Sequence, residues 1–158
     1  MYNTILLAVA LQDWERYNEH AIALRDVGEA LALGSSKQLH VLSVYHHDEE
    51  LRSRGLTFEM AARAVEDFRQ RMDVLMRQKF DEYIEPLIAA GITITPHLEE
   101  GNPRDVIARV AQDIQADVLV LGSHSKRGFI DVILGGTARH ISSQAPCPVI
   151  LVSPKAAH

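Results

Sequence analysis

The sequence predicts an α/β fold: an open five-stranded parallel sheet carrying helices on both faces. Two observations predict it. Five short apolar runs recur along the 158 residues, and stretches with a helical spacing of apolar residues separate them. Strands that alternate with helices build right-handed crossovers and therefore a parallel sheet. The first run and the one at 118–121 are also apolar almost without interruption, as strands covered on both faces are.

Residues 4–10 (TILLAVA) are the first expected strand. Residues 14–33 follow, with Tyr17, Ala21, Leu24, Val27 and Leu31 at three- and four-residue steps. That is one stripe of a helix, closed by Gly34 and Ser35. Residues 39–45 (LHVLSVY) read as the second strand, and the polar stretch 46–55 as a surface loop. Thr57 is the expected N-cap of a long helix with Glu59 in its first turn. Phe68, Met72, Leu75, Met76, Phe80, Tyr83, Ile84 and Leu87 hold the helical period as far as Gly91 and read as core. Pro86 removes one backbone donor inside that helix and is expected to kink its last turn.

Residues 92–98 (ITITPHL) alternate and are rich in β-branched residues, which predicts a third strand. Pro96 cannot donate to a ladder, so this strand belongs at a sheet edge. Asn102, Pro103 and Asp105 then announce a helix: an N-cap, a proline suited to the first position, and an acid in the first turn. Val106, Ile107, Val110 and Ile114 give it an apolar face. Residues 118–121 (VLVL) are the fourth strand, 138–143 a short helix, and 149–152 the last strand.

Composition bounds the function. Apolar residues make up 47% and charged residues 23%, the balance of an ordinary globular chain, and 1–158 reads as one domain. A formal charge of −5 disfavours a phosphate backbone as partner, so no nucleic-acid role is expected. Cys147 is the only cysteine; it lies between two prolines and reads as a small buried hydrophobe, with a reducing compartment the simpler setting. The start lacks the features of a signal peptide, and no run approaches the ~20 apolar residues of a membrane span. The expected location is the cytoplasm, with no membrane partner.

In an open α/β sheet, ligands collect beyond the carboxyl ends of the strands, where the strand order reverses. After the fourth strand come Gly122-Ser123-His124-Ser125-Lys126-Arg127-Gly128, and then Gly135-Gly136-Thr137 opening a helix. Small residues let backbone amides approach an anion, and a helix N-terminus adds free N–H groups and a favourable dipole. Together these describe a phosphate cradle. The spacing is neither that of the P-loop nor that of the Gly-x-Gly-x-x-Gly dinucleotide fingerprint, which argues against both classes.

Gly122-Ser123-His124, nine residues between Ser125 and Gly135, and a small-residue helix start resemble the nucleotide motif of the universal stress proteins. So do the opening Met1-Tyr2 and Ile5-Leu6-Leu7-Ala8-Val9, the stretch Glu100-Gly101-Asn102-Pro103, the strand Ala116–Gly122, and the closing Ala145-Pro146-Cys147-Pro148-Val149-Ile150-Leu151-Val152. The resemblance implies a Rossmann-like sheet of the adenine nucleotide alpha hydrolase kind in the order 3-2-1-4-5. It implies a homodimer through Val149–Val152, and ATP or a related adenine nucleotide, with Mg²⁺, as ligand. On that likeness Gly122, Ser123, His124, Ser125, Gly135, Gly136 and Thr137 face phosphates and ribose, while Ala10, Leu11 and Val41 border the adenine.

Three positions depart from the motif. Ala10 stands where nucleotide-binding members carry an aspartate, Ser125 replaces the second glycine, and Gly136 stands where a hydroxyl residue follows the third glycine, with Thr137 one step later. Ala10 removes a side-chain acceptor, worth about 0.5–1.5 kcal/mol if it were paired; Gln12 or Asp13 would partly replace it. His46, His47, His97 and His124 gather near strand ends without a ligand spacing typical of metals, so no metal is expected. The expected function is a dimeric stress-response module that binds adenine nucleotide in a regulatory way. No placed general base with a carboxylate pair is evident, and Asp131 lacks an obvious partner, so no enzyme is expected. The alternatives are a slow ATPase and a nucleotide-independent dimeric interaction protein, the latter favoured by the three departures.

Overall fold

The computed structural model describes residues 2–12, 14–33, 37–47, 58–123 and 136–154. Five strands and four helices alternate through them: β1 Thr4–Val9, α1 Trp14–Ala32, β2 Gln38–Tyr45, α2 Phe58–Ala89, β3 Ile94–Glu100, α3 Pro103–Asp113, β4 Val118–Gly122, α4 Gly136–Gln144 and β5 Val149–Val152. All neighbouring strands pair in parallel, in the order β3-β2-β1-β4-β5.

Successive side chains of a strand point to opposite faces, and here both faces are covered. Ile5, Leu7, Val9, Leu39, Val41, Val118 and Val120 pack against Leu24 of α1 and Met76, Phe80, Tyr83 and Leu87 of α2. Leu6, Ala8, Leu42, Val44, Leu119 and Leu121 pack on the other face against Val106, Ile107 and Val110 of α3 and Ile141 of α4. This double cover is why β1 and β4 read as unbroken apolar runs. Polar contacts pin the layers at both levels. The Tyr83 hydroxyl donates to the Ala21 carbonyl at 2.7 Å and Arg25 donates to the Tyr83 carbonyl at 3.2 Å, locking α1 to α2. The Asp117 carboxylate accepts from the amides of Asn3 and Thr4, fastening the start of β1 beside β4.

The edge position inferred for the strand bearing Pro96 is the one observed. Its start is not: β3 begins at Ile94, two residues later than the alternation implies. The residues before it finish the preceding helix. Gly91 has φ +84, its amide bonds the Ile88 carbonyl, and the Ile92 amide bonds the Leu87 carbonyl, a Schellman closure that buries Ile92 beside Leu87. A second expectation also fails. Leu75 is 44% exposed, because Met72 and Met76 already fill the inward side of that turn. The helix continues through Pro86 to Ala89. The N-cap expected at Thr57 and residues 48–55 of the loop expected over 46–55 lie outside the described residues.

The start of α3 follows the sequence closely. The Asn102 side chain accepts from the Arg104 amide at 2.9 Å, and Pro103 opens the helix. Asn102→Ala is expected to lower stability by about 1 kcal/mol, while Asn102→Ser, which keeps an acceptor, costs a fraction of that. Urea denaturation of the two variants against the parent checks it; equal losses would show that the cap contributes nothing.

Candidate functional site

The strand order places a switch point between β1 and β4. From β1 the chain moves through α1 to β2 on one side, and from β3 it returns through α3 to β4 on the other. Ala8 pairs with Leu121, so Ala10 and Ser123, each two residues further on, emerge side by side at the carboxyl ends of adjacent strands. Ala10 is exposed there. Gly122 ends β4 against Val152; the Ser123 amide donates to the Val152 carbonyl at 3.0 Å, and its hydroxyl bonds that of Ser153.

Gly136 and Thr137 form the first turn of α4. Gly136 leaves room that the Arg104 guanidinium uses: a Cβ at Gly136 would lie 2.6 Å from Arg104 Nη2. The arrangement brings the start of α3, the start of α4 and one cation together, with bare backbone where a side chain would otherwise stand. Both helix starts carry positive partial charge, so the place favours an anion. His124, Ser125 and Gly135, along with Lys126, Arg127 and Asp131, lie outside the described residues.

The residues assigned to the adenine side are not grouped as the resemblance implies. Leu11 and Val41 have no exposed surface and belong to the core beneath α1 and α2. Val41 sits in mid-strand, between Leu7 of β1 and Pro96 of β3. The residue at the carboxyl end of β2 that faces the β1 turn is His46. Its carbonyl accepts from Gln12 Nε2 at 2.8 Å, and its amide donates to Gln12 Oε1 at 3.2 Å. Gln12, named as a replacement acceptor for Ala10, is thus spent on the backbone of the neighbouring strand. Lys79 of α2 donates to the Gln12 carbonyl at 3.2 Å, and the buried Ser43 hydroxyl donates to the Val9 carbonyl at 2.9 Å. These bonds set the path of the chain as it leaves β1.

Further along the rim, the Tyr45 hydroxyl donates to Asp73 Oδ1 at 2.5 Å and His47 Nε2 meets the same oxygen at 2.9 Å. The other His47 ring nitrogen lies 3.7 Å from Glu100. Burial, then the Asp73 hydrogen bond, pushes the Tyr45 phenol up to about 12, and the Tyr45 and His47 hydrogen bonds hold the Asp73 carboxyl below its ordinary value. Among the described residues no three histidine, cysteine or carboxylate side chains gather in a metal-binding group. His97, placed near a strand end by the sequence, lies in mid-strand and bonds His40 instead. Cys147 is half-buried against the α3–α4 layer, and burial pushes its thiol up, which fits packing over reactivity. The hydrogen bonds of Gln12 to His46 and the close approach of Arg104 to Gly136 had no signal in the sequence beyond the positions of the residues near strand and helix ends.

The model of the universal stress protein family matches residues 1–153. The chain belongs to that family. The universal stress protein E homolog of Haemophilus influenzae is 36% identical over 58 residues, which are 37% of this chain and 19% of that protein. Universal stress protein MJ0577 of Methanocaldococcus jannaschii is 23% identical over 97 residues, 59% of this chain and 60% of that one. The chain therefore spans less than two thirds of the length of these curated relatives. The solved structure of MJ0577 superposes with a TM-score of 0.77 at 21% identity and covers 99% of both chains. A universal stress protein solved in complex with cAMP superposes with a TM-score of 0.59 at 19% identity and covers 98% of both. At these identities the structural likeness speaks for the fold, the family's parallel sheet in the order 3-2-1-4-5. No described helix is long and apolar enough to cross a membrane.

Proposed function

We propose that the chain is a stress-response module that binds ATP or a related adenine nucleotide at the switch point between β1 and β4, in a regulatory and non-catalytic way. The observation that carries this reading is the bare backbone at Gly136, with the Arg104 guanidinium beside it and the starts of α3 and α4 converging there. A phosphate chain suits such a place by charge. Gly122 and Ser123 stand at the end of the adjacent strand, where small residues leave backbone within reach of the sugar. The cAMP complex of a family member supports an adenine nucleotide as the class of ligand.

The module acts as a cytoplasmic homodimer in this reading. Val149–Val152 is a short apolar strand at the sheet edge opposite β3, and a second copy pairing there would cover it. Nucleotide occupancy then biases the shape of the dimer or its docking to a protein partner.

The test is direct. Nucleotide released from freshly purified, denatured protein is identified by mass spectrometry, and ATP is then titrated by calorimetry with and without Mg²⁺. A saturable isotherm is expected, weakened at least tenfold by Arg104→Glu, which reverses the charge at the cradle. Flat titrations with ATP, ADP and cAMP, and no released nucleotide, would overturn the reading. One observation favours the nucleotide-independent alternative: Ala10 offers no side-chain acceptor, and Gln12, the nearest substitute, is bonded to His46. A flat titration would make that the working description.

A further inference from the structure

Gln12 and His46 are paired through both ends of one carboxamide. Nε2 donates to the His46 carbonyl at 2.8 Å, and Oε1 accepts from the His46 amide at 3.2 Å. The two residues are 34 apart in sequence, and β1 and β2 bring them together at the same rim. In extended backbone the N–H and C=O of one residue point the same way, so His46 presents a donor and an acceptor side by side. A primary carboxamide satisfies that pair with an oxygen and an N–H carried on one carbon. The N1–N6 edge of adenine carries the same pattern: a ring-nitrogen acceptor and an exocyclic N–H donor on neighbouring atoms. The His46 edge is therefore shaped to read either a glutamine side chain or an adenine base, and only one at a time.

We infer that Gln12 is a base-mimicking latch: its carboxamide holds the backbone edge of His46 that reads adenine, and nucleotide binds by displacing it. This rests on the adenine-nucleotide reading and adds to it the residue that sets affinity. The parts are built for exchange. The Gln12 backbone is anchored separately, its carbonyl accepting from Lys79 at 3.2 Å, so the side chain leaves His46 without the turn moving. Gln12 is half-buried, and a released carboxamide recovers its hydrogen bonds from water. An internal competitor lowers the apparent affinity by the fraction of time the edge is free. The latch also accounts for Ala10: with no acceptor on the β1 end, the base depends on the His46 edge, and control of that edge is control of the site.

Calorimetry on the full chain tests this with ATP, adenosine and inorganic tripolyphosphate as probes. Three proteins are compared: the parent, Gln12→Ala, and Gln12→Glu, whose carboxylate cannot donate to the His46 carbonyl. Both variants are expected to bind ATP and adenosine about tenfold more tightly than the parent, about 1.4 kcal/mol. Tripolyphosphate, which lacks a base, is expected to bind all three alike. Equal or weaker adenosine binding in both variants, with the parent still binding ATP, would overturn the latch and leave the nucleotide reading standing. Tightening of tripolyphosphate by the same factor would also overturn it, since the effect would then not act on the base. Absence of ATP binding in all three proteins would overturn both readings.

Discussion

Phe80→Ala is expected to destabilise the folded chain by about 3–5 kcal/mol, a large part of the ~5–15 kcal/mol that holds a typical domain together. Phe80 has no exposed surface and belongs to the core that α2 forms over β2 and β3. Met76, Phe80, Tyr83, Ile84 and Leu87 recur at three- and four-residue steps and cover the β2–β3 side of one face of the sheet, with α1 over the rest. The neighbouring polar ties cannot rearrange to fill the space: the Tyr83 hydroxyl is bonded to the Ala21 carbonyl, and Arg25 lies 5.4 Å over the Tyr83 ring. Truncation therefore removes apolar contact and leaves a cavity, and both terms count. Leu75→Ala, on the outward side of the same helix and 44% exposed, is the control and should cost about 0.5 kcal/mol or less. Urea denaturation followed by circular dichroism separates them; equal midpoints would show that α2 does not cover the sheet as described.

Mild acid is the second strong lever. His40 of β2 is 9% exposed, and its Nδ1 lies 2.9 Å from Nε2 of His97 on β3, with the rings stacked at 5.2 Å. The contact requires a proton on one nitrogen and none on the other. Burial, and next the proximity of His97, lowers the pKa of His40; burial lowers that of His97, partly opposed by Glu99. Glu99 is itself held by Arg109 of α3, which limits how far it favours a charged imidazole. Both folded values lie below the ordinary ~6.5. Above pH 7 neither state is protonated, and the pair has no pH-dependent effect. Below ~6.5 the unfolded chain takes protons that the folded chain refuses, so stability falls as pH falls through this range. Each proton withheld costs at most about 1.4 kcal/mol per pH unit, and less for the more solvated His97.

Thermal midpoints measured from pH 8 to pH 4.5 should be level above pH 7 and then drop, by roughly 2–4 °C for every kcal/mol lost in a chain of this size. His40→Phe, which keeps an aromatic ring without a titrating group, should flatten the decline. The carboxylates act in a separate window. Asp73, held low by Tyr45 and His47, and Asp117, held low by the amides of Thr4 and Asn3, stabilise at higher pH and lose that contribution only as pH falls below ~4. An unchanged acid profile in the His40→Phe variant would assign the decline to other groups.

Much of this protein was determined by sequence alone. The apolar runs at β1 and β4 encode strands covered on both faces, since a pleated strand with one wet face must alternate. Asn102-Pro103 sets the start of α3, because cap and first-turn preferences depend on a few adjacent atoms. Pro96 marks an edge strand, for it has no N–H to give a second neighbour. The resemblance carried by Gly122, Gly135 and the closing strand pointed to the family and to the rim where a ligand would sit.

Tertiary structure decided the rest. β3 starts at Ile94 because Gly91 and Ile92 are consumed in closing α2, a competition between a helix end and a strand start that alternation does not register. Leu75 faces outward because the helix rolls so that Met72 and Met76 meet the sheet, and a period of 3.6 leaves one residue of each close pair on the margin. Val41 is core and His46 is rim because strand register, not residue type, sets which residue reaches the carboxyl end. The Gln12–His46, Arg104–Gly136 and His40–His97 juxtapositions join residues 34, 32 and 57 apart in sequence. Local preference acts over a helical turn or a strand step. Contacts at these separations exist only once the sheet has aligned its strands and the helices have settled on it.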